Sequence, residues 1–334
     1  MQDTLITVDK VSKSFTGAAG DELRVLDEIT LELRAGEIVA LLGRSGSGKS
    51  TLLRTIAGLI PPTGGTVRYL GQQLNGANPG TAMVFQSFAL MPWLTVQDNV
   101  ELGLAAQGVP VAQRRERALD AIDLIGLDGF ESAYPKELSG GMRQRVGFAR
   151  ALVLEPDVLL MDEPFSALDV LTAENLRTEL MSLWTGQKFP TKAVCIVTHN
   201  IEEAVLLADR VVVLGANPGH IRAEVAVDLE RPRDRKSPTF AALVNRLYDL
   251  LTGREPDPGR HEGALPGVER EDRSLDLGGA ATLASSATSR IVTRRGSFSD
   301  MRPGEAPWQI HGKHCHVFAM AGTFGRVGCS LEEE

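Results

Sequence analysis

Residues 37–59, EIVALLGRSGSGKSTLLRTIAGL, are the most informative part of this chain about its fold. Its apolar run Ile38–Leu42 is typical of a buried strand, and a glycine-rich loop and a helix-like segment follow it directly. The loop fits the pattern G-x-x-x-x-G-K-[ST], whose fixed positions are Gly43, Gly48, Lys49 and Ser50. A plain glycine-rich turn before a helix is the alternative, and the order of strand, loop and helix disfavours it.

The loop predicts a site for the phosphates of a nucleotide. Glycines let the backbone curl so that successive N–H groups point at phosphate oxygens, and the following helix adds the positive end of its dipole. Lys49 is expected to reach the β- and γ-phosphates, and Ser50 is expected to ligate Mg²⁺. We predict that the whole loop binds nucleotide, through Gly43, Arg44, Ser45, Gly46, Ser47, Gly48, Lys49, Ser50 and Thr51.

An acidic pair follows another apolar run, in VLLMDEP, residues 158–164. Ionised carboxylates at the end of a buried strand cost free energy unless a metal ion or hydrogen bonds compensate them. Asp162 fits the Mg²⁺-side carboxylate of a phosphate-loop ATPase, and Glu163 fits a general base that accepts a proton from water. An acidic turn without a chemical role is the alternative.

The sequence LSGGMRQR, residues 138–145, narrows the family. It resembles the signature sequence of ATP-binding cassette (ABC) proteins, which usually has Gln where Met142 stands. In that family, the signature loop of one subunit closes on the ATP held by the other. Ser139 suits a helix cap and a donor to the γ-phosphate, while Gly140 and Gly141 expose N–H groups at a helix N-terminus. A plain capped helix is the alternative for this segment alone.

Further residues match ABC positions by their order and spacing. The resemblance implies that Gln86 links Mg²⁺ and the attacking water to a transport partner, and that His199 contacts the γ-phosphate. It also implies that SALD, residues 166–169, communicates across a dimer, and that Phe15 stacks on adenine. A lone Gln, His or Phe is usually structural, so these assignments depend on the order of the motifs. The resemblance covers roughly residues 4–252.

Short β-rich runs alternate with helical stretches, which predicts an α/β protein. The predicted strands are Leu5–Val11, Ile29–Leu33, Ile38–Leu42, Met83–Phe85, Val158–Met161, Ala193–Thr198 and Val211–Leu214, with one or two more within residues 220–229. Helices are expected after Gly48, Thr95, Pro110, Ser139, Leu168 and Asn200, and a last helix is expected to end at Gly253.

The resemblance implies a phosphate-loop ATPase core with an antiparallel β subdomain and an α-helical signature subdomain. We predict an ABC ATPase domain over residues 1–253. Residues 254–334 carry Pro, Gly, Ser and Arg in no sustained period, which predicts a poorly ordered linker or tail. This tail contains HGKHCH, with His311, His314, Cys315 and His316 as possible Zn²⁺ ligands. Its spacing matches no closed structural site, so adventitious affinity or no role is the alternative.

Composition restricts the class of protein. Of 334 residues, 43% are apolar and 23% are charged, which is ordinary for a globular protein, and three cysteines are too few for a disulfide framework. The formal net charge of −8 argues against a nucleic-acid partner. Apolar runs are far shorter than a membrane span, and the start MQDTLITVDK lacks the order of a secretory signal. We expect a soluble protein, peripheral at the cytoplasmic face of the cell membrane.

Two functional classes remain possible. The chain is either the ATPase subunit that energises a membrane importer, or a soluble ABC ATPase that acts on nucleic acid, a ribosome or a protein complex. The segment Phe88–Leu102 holds apolar and aromatic residues next to Gln86, and it suits the docking of a helix from an integral membrane permease. Packing of Trp93 and its neighbours inside the helical subdomain is the alternative.

MPWLTVQDNV together with LSGGMRQRVGFARAL is similar to the ATPase subunits of nitrate, sulfonate, taurine and related importers. That resemblance implies a second ABC ATPase subunit, a permease above the pair, and an external substrate-binding protein that delivers the cargo. The chain carries every motif, so a homodimer is allowed. Small anions such as nitrate, sulfonate, taurine or bicarbonate are the expected cargo by resemblance alone.

Overall fold

A computed structural model describes residues 3–17, 20–186 and 189–253. Within these ranges the strands are β1 (Thr4–Thr16), β2 (Glu22–Arg34), β3 (Ile38–Gly43), β4 (Gly64–Tyr69), β5 (Gln72–Gln73), β6 (Thr81–Val84), β7 (Val158–Asp162), β8 (Ala193–Thr198), β9 (Arg210–Leu214) and β10 (Ile221–Ala226). The helices are α1 (Lys49–Ile56), α2 (Val96–Ala106), α3 (Val111–Leu124), α4 (Gly140–Leu152), α5 (Val170–Thr185), α6 (Ile201–Leu207) and α7 (Pro238–Thr252), and a 3₁₀ turn spans Pro135–Glu137.

The predicted elements are confirmed in type and order, although β6 ends at Val84 and does not include Phe85 as predicted. The caps explain why the helix starts could be predicted. Thr95, Ser139 and Asn200 each accept a hydrogen bond from a backbone N–H three residues further on. Helix α5 begins slightly later than expected because Asp169, not Leu168, caps it. Helix α7 ends at Gly253, whose φ of 74° is the left-handed conformation that glycine adopts without steric cost.

A six-stranded sheet in the order β10-β9-β3-β8-β7-β6 forms the centre of the described chain. Strands β9, β3, β8, β7 and β6 are parallel, and β10 pairs antiparallel with β9. Because parallel strands share a direction, their carboxyl ends meet at one edge of the sheet. The phosphate loop follows β3, Glu163 follows β7 and His199 follows β8, so the sheet gathers these segments at one edge.

Alternate residues of the central strands face two hydrophobic cores. In β3, Ala40 and Leu42 pack with the helical side of the molecule, whereas Val39 and Leu41 pack with α1 and the other sheet. Every residue of β3, β7 and β8 is buried. Strands covered on both faces need small or apolar side chains at nearly every position, which is why these segments read as continuous apolar runs.

The second sheet is antiparallel, in the order β2-β1-β4-β5, and it shares a core with α1 and the central sheet. The sequence did not predict β4 or β5. Strand β4 begins with two glycines and buries only Val67, so its apolar pattern is too weak to identify. It forms because Val67 pairs with Val8 of the long strand β1.

Helices α2, α3 and α4 pack together, and α4 also contacts α5 and β6. The predicted fold class, an α/β ATPase core with an antiparallel β subdomain and a helical subdomain that carries the signature segment, is confirmed. No helix within the described ranges is long and apolar enough to cross a membrane. Residues 254–334 lie outside the described residues, and so do the predicted tail and its His311–His316 cluster. The domain boundary at residue 253 stays a prediction.

Candidate functional site

The predicted phosphate loop joins β3 to α1 and turns through glycines with left-handed backbone. Gly46 has φ 81° and Gly48 has φ 85°, angles that side chains with a Cβ rarely adopt. Arg44 and Ser45 are exposed, whereas Ser47 is fully buried beneath the turn. Helix α1 starts immediately after Gly48 and includes Ser50 and Thr51. The loop therefore has the shape that the motif predicts.

The Lys49 ammonium is buried against the loop itself. Its Nζ donates to the carbonyl oxygen of Gly43 at 2.8 Å and to that of Arg44 at 3.0 Å. Burial lowers the pKa of Lys49, and the nearby carboxylates of Glu163 and Asp162 oppose that shift. The negative charges of the two carboxylates thus favour the protonated Lys49 ammonium, which burial alone disfavours.

Ser50 and Asp162 come together from different elements. The Ser50 hydroxyl donates to Oδ1 of Asp162 at 2.7 Å, and the Asp162 side chain is only 7% exposed. Arg54 of α1 places Nη2 3.7 Å from Oδ2 of the same carboxylate. A hydroxyl and a carboxylate oxygen side by side at the start of a phosphate-loop helix are the ligand types that Mg²⁺ prefers.

Glu163 lies just beyond the end of β7 in a left-handed backbone conformation, with φ 46°. Its N–H donates to the Val197 carbonyl of β8 at 3.1 Å, which ties the turn to the neighbouring strand. One carboxylate oxygen lies 3.1 Å from Nδ1 of His199, which directly follows β8. Non-glycine residues with such backbone angles cluster at functional sites, so this outlier agrees with a chemical role for Glu163.

Gln86 and the SALD segment join the same cluster. Gln86 donates through Nε2 to the Ser166 hydroxyl at 3.2 Å, and that hydroxyl donates to the Glu163 carbonyl oxygen at 2.9 Å. Asp169 caps α5 by accepting a hydrogen bond from the N–H of Thr172. Hydrogen bonds therefore connect Gln86, Ser166 and Glu163 within one chain.

Ser139, Gly140 and Gly141 stand at the start of α4, apart from the phosphate loop. Ser139 is exposed, and its hydroxyl accepts a hydrogen bond from the N–H of Met142 at 3.2 Å. Gly141 is buried against α5, where a Cβ would lie 2.4 Å from Cγ2 of Thr172. Across the described ranges the Ser139 hydroxyl bonds within its own helix and forms no hydrogen bond with the phosphate loop.

Phe15 lies near the end of β1 and is 41% exposed. It pairs across the strands with Leu23, which is 66% exposed. Lys13 places its Nζ 5.0 Å from the Phe15 ring centroid and donates to the Pro61 carbonyl at 2.9 Å. An exposed aromatic ring with an apolar neighbour is chemically suited to a stacked base.

Gly219 packs beneath the phosphate loop, a contact that no pattern in the sequence indicates. A Cβ at Gly219 would lie 2.3 Å from the Ser47 carbonyl oxygen and 3.0 Å from that of Val25. The Gly219 N–H donates to Val25 at 2.9 Å, and its carbonyl accepts from the N–H of Asp27 at 2.8 Å. The turn between β9 and β10 thus touches the loop, although GANPGH reads as an ordinary turn.

Arg177 of α5 is a second residue that sequence reasoning missed. Its side chain contacts Glu203 of α6 at 3.3 Å, Glu174 at 2.8 Å and the Phe165 ring at 5.3 Å. Burial raises the pKa of Glu203, and Arg177 opposes that shift. Arg177 joins the segment after Glu163 to the helix after His199, a link between distant residues that no local pattern marks.

Residues 26–166 match the family model described as ABC transporter. Over 246 residues the chain is 46% identical to an uncharacterized ABC transporter ATP-binding protein of Methanocaldococcus jannaschii, a match that covers 74% of this chain and 91% of that protein. It is 42% identical over 261 residues to the nitrate import ATP-binding protein NrtD of Synechocystis sp., covering 75% of this chain and 97% of the relative.

The taurine import ATP-binding protein TauB of Rhizobium johnstonii is 42% identical over 259 residues, covering 75% of this chain and 98% of the relative. Among solved structures, the chain is similar to the dimeric post-hydrolysis state of an ATP-binding cassette bound to ADP and Pi. That match has a TM-score of 0.59 and 32% identity, and it covers 67% of this chain and 99% of the other.

Proposed function

Because the chain belongs to the ATP-binding cassette ATPases, we propose that it is the ATP-hydrolysing subunit of an importer for small anions such as nitrate, sulfonate, taurine or bicarbonate. One observation carries the chemical part of the proposal. Lys49, the Ser50–Asp162 pair and the Glu163–His199 pair follow parallel strands at the same edge of the central sheet. Phosphoryl transfer to water requires positioning and neutralisation of charge, and these are the groups that supply both.

The chain binds nucleotide, and the phosphate loop is the proposed site. Helix α1 begins at the loop, so its dipole adds positive potential where phosphates bind. Lys49 exchanges its two carbonyl partners for phosphate oxygens, and Phe15 stacks on adenine. Backbone N–H groups of the remaining loop residues donate to phosphate, namely Gly43, Arg44, Ser45, Gly46, Ser47, Gly48, Ser50 and Thr51.

Ser50 and Asp162 fit Mg²⁺, since their oxygen atoms are already within 2.7 Å of each other. Gln86 donates to Ser166 through its nitrogen, which leaves its amide oxygen as a third ligand of the same type. When bound, Mg²⁺ neutralises charge on the transferring phosphoryl group. Within the protein, Asp162 supplies the compensating negative charge and Ser50 releases its hydrogen bond to that carboxylate.

Glu163 is the proposed general base. It takes a proton from the attacking water, while the adjacent His199 contacts the γ-phosphate and stabilises the negative charge that develops there. The 3.1 Å contact between the two side chains supports this division of roles, because it holds the carboxylate and the imidazole at one point. The exposed Gln86 is linked to Glu163 by hydrogen bonds through Ser166, and it thereby connects the base to the protein surface.

A second ABC ATPase subunit, proposed here to be an identical chain, completes the site. Ser139, Gly140 and Gly141 act on ATP bound to the phosphate loop of the partner. The exposure of Ser139 supports this role, and so does the dimeric state of the similar cassette. Loss of the γ-phosphate removes the bridge between the subunits, and the dimer opens.

An integral membrane permease is the proposed mechanical partner, docking near Phe88–Leu102. Trp93 is 70% exposed and Leu102 is 38% exposed, so packing of Trp93 inside the helical subdomain is wrong for this residue. Leu90, in contrast, packs partly against the core. An exposed tryptophan near Gln86 offers a short partner helix an apolar anchor.

The proposed cargo and the way it is delivered are inferred from similar proteins. Proteins with this degree of similarity are named for nitrate import and taurine import, and both cargoes are small anionic or zwitterionic molecules. An external substrate-binding protein is proposed to deliver the cargo to the permease. The subunit itself is proposed to act at the cytoplasmic face of the cell membrane.

Uptake by the native host tests the proposal. Cells that lack the chain are expected to lose uptake of labelled nitrate, taurine, another sulfonate or bicarbonate. The wild-type chain restores that uptake, and Glu163→Gln does not. Glu155→Gln is the matched control, because Glu155 is an exposed glutamate whose side chain is 67% accessible. Unchanged uptake of all these anions in cells without the chain would contradict the proposal.

A further inference from the structure

Phe88 and Ala89, which follow Gln86 in the chain, have backbone conformations that L-amino acids avoid. Phe88 has φ 62° and Ala89 has φ 49°, both in the left-handed region. A bulky residue in that region is a genuine outlier, and two in succession persist only where surrounding contacts hold them. The segment Gln86–Thr95, which we call the 86–95 loop, therefore contains a strained dipeptide near its start.

Arg150 of α4 supplies those contacts. Its Nη1 donates to the Ala89 carbonyl at 2.6 Å, and its Nη2 donates to the Phe88 carbonyl at 3.0 Å. The guanidinium forms no ion pair in the described part of the chain, and burial lowers the pKa of Arg150. Because this desolvated guanidinium has no carboxylate partner there, its hydrogen bonds to the two carbonyls compensate the cost of its burial.

The same face of α4 covers Phe88 at two more points. Arg143 lies with its guanidinium carbon 5.6 Å from the Phe88 ring centroid. Gly147 lies beside the Phe88 carbonyl, where an added Cβ would be in ordinary van der Waals contact at 3.7 Å. The strained dipeptide is thus attached to α4 along two turns of the helix.

The other end of the loop is fixed by Asn99 of α2. This side chain is fully buried, accepts a hydrogen bond from the N–H of Met91 at 2.8 Å and donates to the Leu94 carbonyl at 3.1 Å. Trp93 stands between these anchors and is 70% exposed. The loop is held at both ends while its tryptophan faces solvent.

We propose that Arg150 is a positioning residue that makes the 86–95 loop move with α4. Ser139 caps helix α4, and Arg150 lies eleven residues further on, about 16 Å along the axis at 1.5 Å per residue. Any nucleotide-dependent displacement at Ser139 is carried by the helix to the Phe88–Ala89 carbonyls. The inference rests on the proposed role of Ser139 at a partner's nucleotide, and it concerns how that event reaches the surface near Trp93.

Hydrogen exchange of the peptide that spans the 86–95 loop tests the coupling. The full chain is compared with Arg150→Met and Arg150→Lys, each with and without Mg²⁺ and a non-hydrolysable ATP analogue. Arg117→Met is the matched control, since Arg117 also donates to a backbone carbonyl beside α4, that of Val153 at 2.9 Å, and does not touch the loop. Nucleotide affinity and the thermal midpoint are measured on every variant.

In the wild-type chain, nucleotide is expected to slow exchange in this peptide. Arg150→Met is expected to raise exchange about tenfold or more and to remove the nucleotide response, because hydrogen bonds to a charged donor are lost, while affinity changes by less than about twofold. Arg150→Lys keeps the positive charge but replaces the two donor nitrogens of the guanidinium with one, so it is expected to retain part of the response. This variant also carries the test should the Met variant not fold.

Three results would overturn the proposal: no nucleotide response of the loop in the wild-type chain, a full response in both Arg150 variants, or an equal loss in Arg117→Met. No permease takes part in the measurement. A failure of the proposal on Arg150 is therefore distinguishable from a failure of the importer assignment.

Discussion

His199 Nδ1 lies 3.1 Å from Oε2 of Glu163, although 36 positions separate the two residues. Strands β7 and β8 are parallel neighbours, so the residues that follow them emerge side by side. The contact places an imidazole next to the carboxylate that we assign as general base. It is the most specific geometric support for the hydrolytic role of this edge of the sheet.

Glu163→Gln is expected to bind ATP and to dimerise while hydrolysis falls by about 10²–10⁴-fold, the usual contribution of a general base. The amide keeps the size and one hydrogen-bonding oxygen of Glu163 but does not accept a proton from water. Single-turnover release of phosphate, with nucleotide affinity measured in parallel, checks this. Hydrolysis near the wild-type rate would remove Glu163 from its assigned role.

Gly219→Ala is expected to weaken ATP binding by about tenfold or more. The new Cβ would lie 2.3 Å from the Ser47 carbonyl, so either the phosphate loop or the β9–β10 turn must shift, and a shift of the loop disturbs its donors. Equilibrium titration with nucleotide measures the effect. Gly64→Ala is the control, because the nearest atom to its Cβ is 3.8 Å away. Equal affinities for both variants would show that the turn does not support the loop.

Arg177→Met is expected to destabilise the fold by about 3–5 kcal/mol, because it leaves the Glu203 carboxylate buried without its cation. The Glu203 side chain is 7% exposed and that of Arg177 is 12% exposed. Adding Glu203→Gln to Arg177→Met is expected to recover most of the loss. Denaturant unfolding of the two single variants and the double variant gives the coupling free energy.

The stability of Arg177→Met is also expected to depend on pH. Burial raises the pKa of Glu203 above its ordinary value, so the folded chain holds a proton at this site more tightly than the unfolded chain does. Without Arg177 this preference for the bound proton grows, and the stability of Arg177→Met is expected to be retained at low pH and lost as pH rises through the raised pKa. A cost of Arg177→Met that does not change with pH would contradict the assignment of Glu203 as the group left unpaired.

Tyr69 predicts a second pH dependence, at the alkaline end. Burial and a hydrogen bond to the Asp157 carboxylate raise the pKa of Tyr69 to about 12. Its contribution to stability is complete below the ordinary tyrosine pKa of about 10 and is lost as pH rises towards 12. The stability difference between the wild-type chain and Tyr69→Phe, about 1 kcal/mol near neutral pH, is expected to shrink over that interval. Denaturant unfolding at stepped pH measures it.

The sequence predicted features whose chemistry is local. The phosphate loop needs glycines next to one another, and helix starts at Ser139 and Asn200 need a capping side chain beside the helix. Continuous apolar runs identified the central strands because both of their faces are covered. Each of these signals is contained within a few consecutive residues, so it could be recognised without knowledge of the rest of the chain.

Features that depend on distant residues could not be predicted in this way. Strand β4 exists because β1 pairs with it, and Gly219 matters because the β9–β10 turn passes under the phosphate loop. Arg150 and Arg177 look like ordinary helical arginines in the sequence, yet each has partners 26 or more positions away, and for Arg177 this partner is Glu203. For Arg150 those partners are the carbonyls of Ala89 and Phe88, at separations of 61 and 62 residues.

Co-purification tests the importer assignment most directly. The Glu163→Gln chain, tagged and held with Mg²⁺ and ATP, is recovered from detergent-solubilised membranes of its native host, beside a matched Glu163→Gln/Trp93→Glu chain. We predict a polytopic membrane protein in near-equal amount with the first and a marked loss with the second, since Trp93 is the exposed anchor near Gln86. Recovery only of ribosomes, DNA or a cytosolic protein complex would contradict the transport assignment and leave the ATPase chemistry in place.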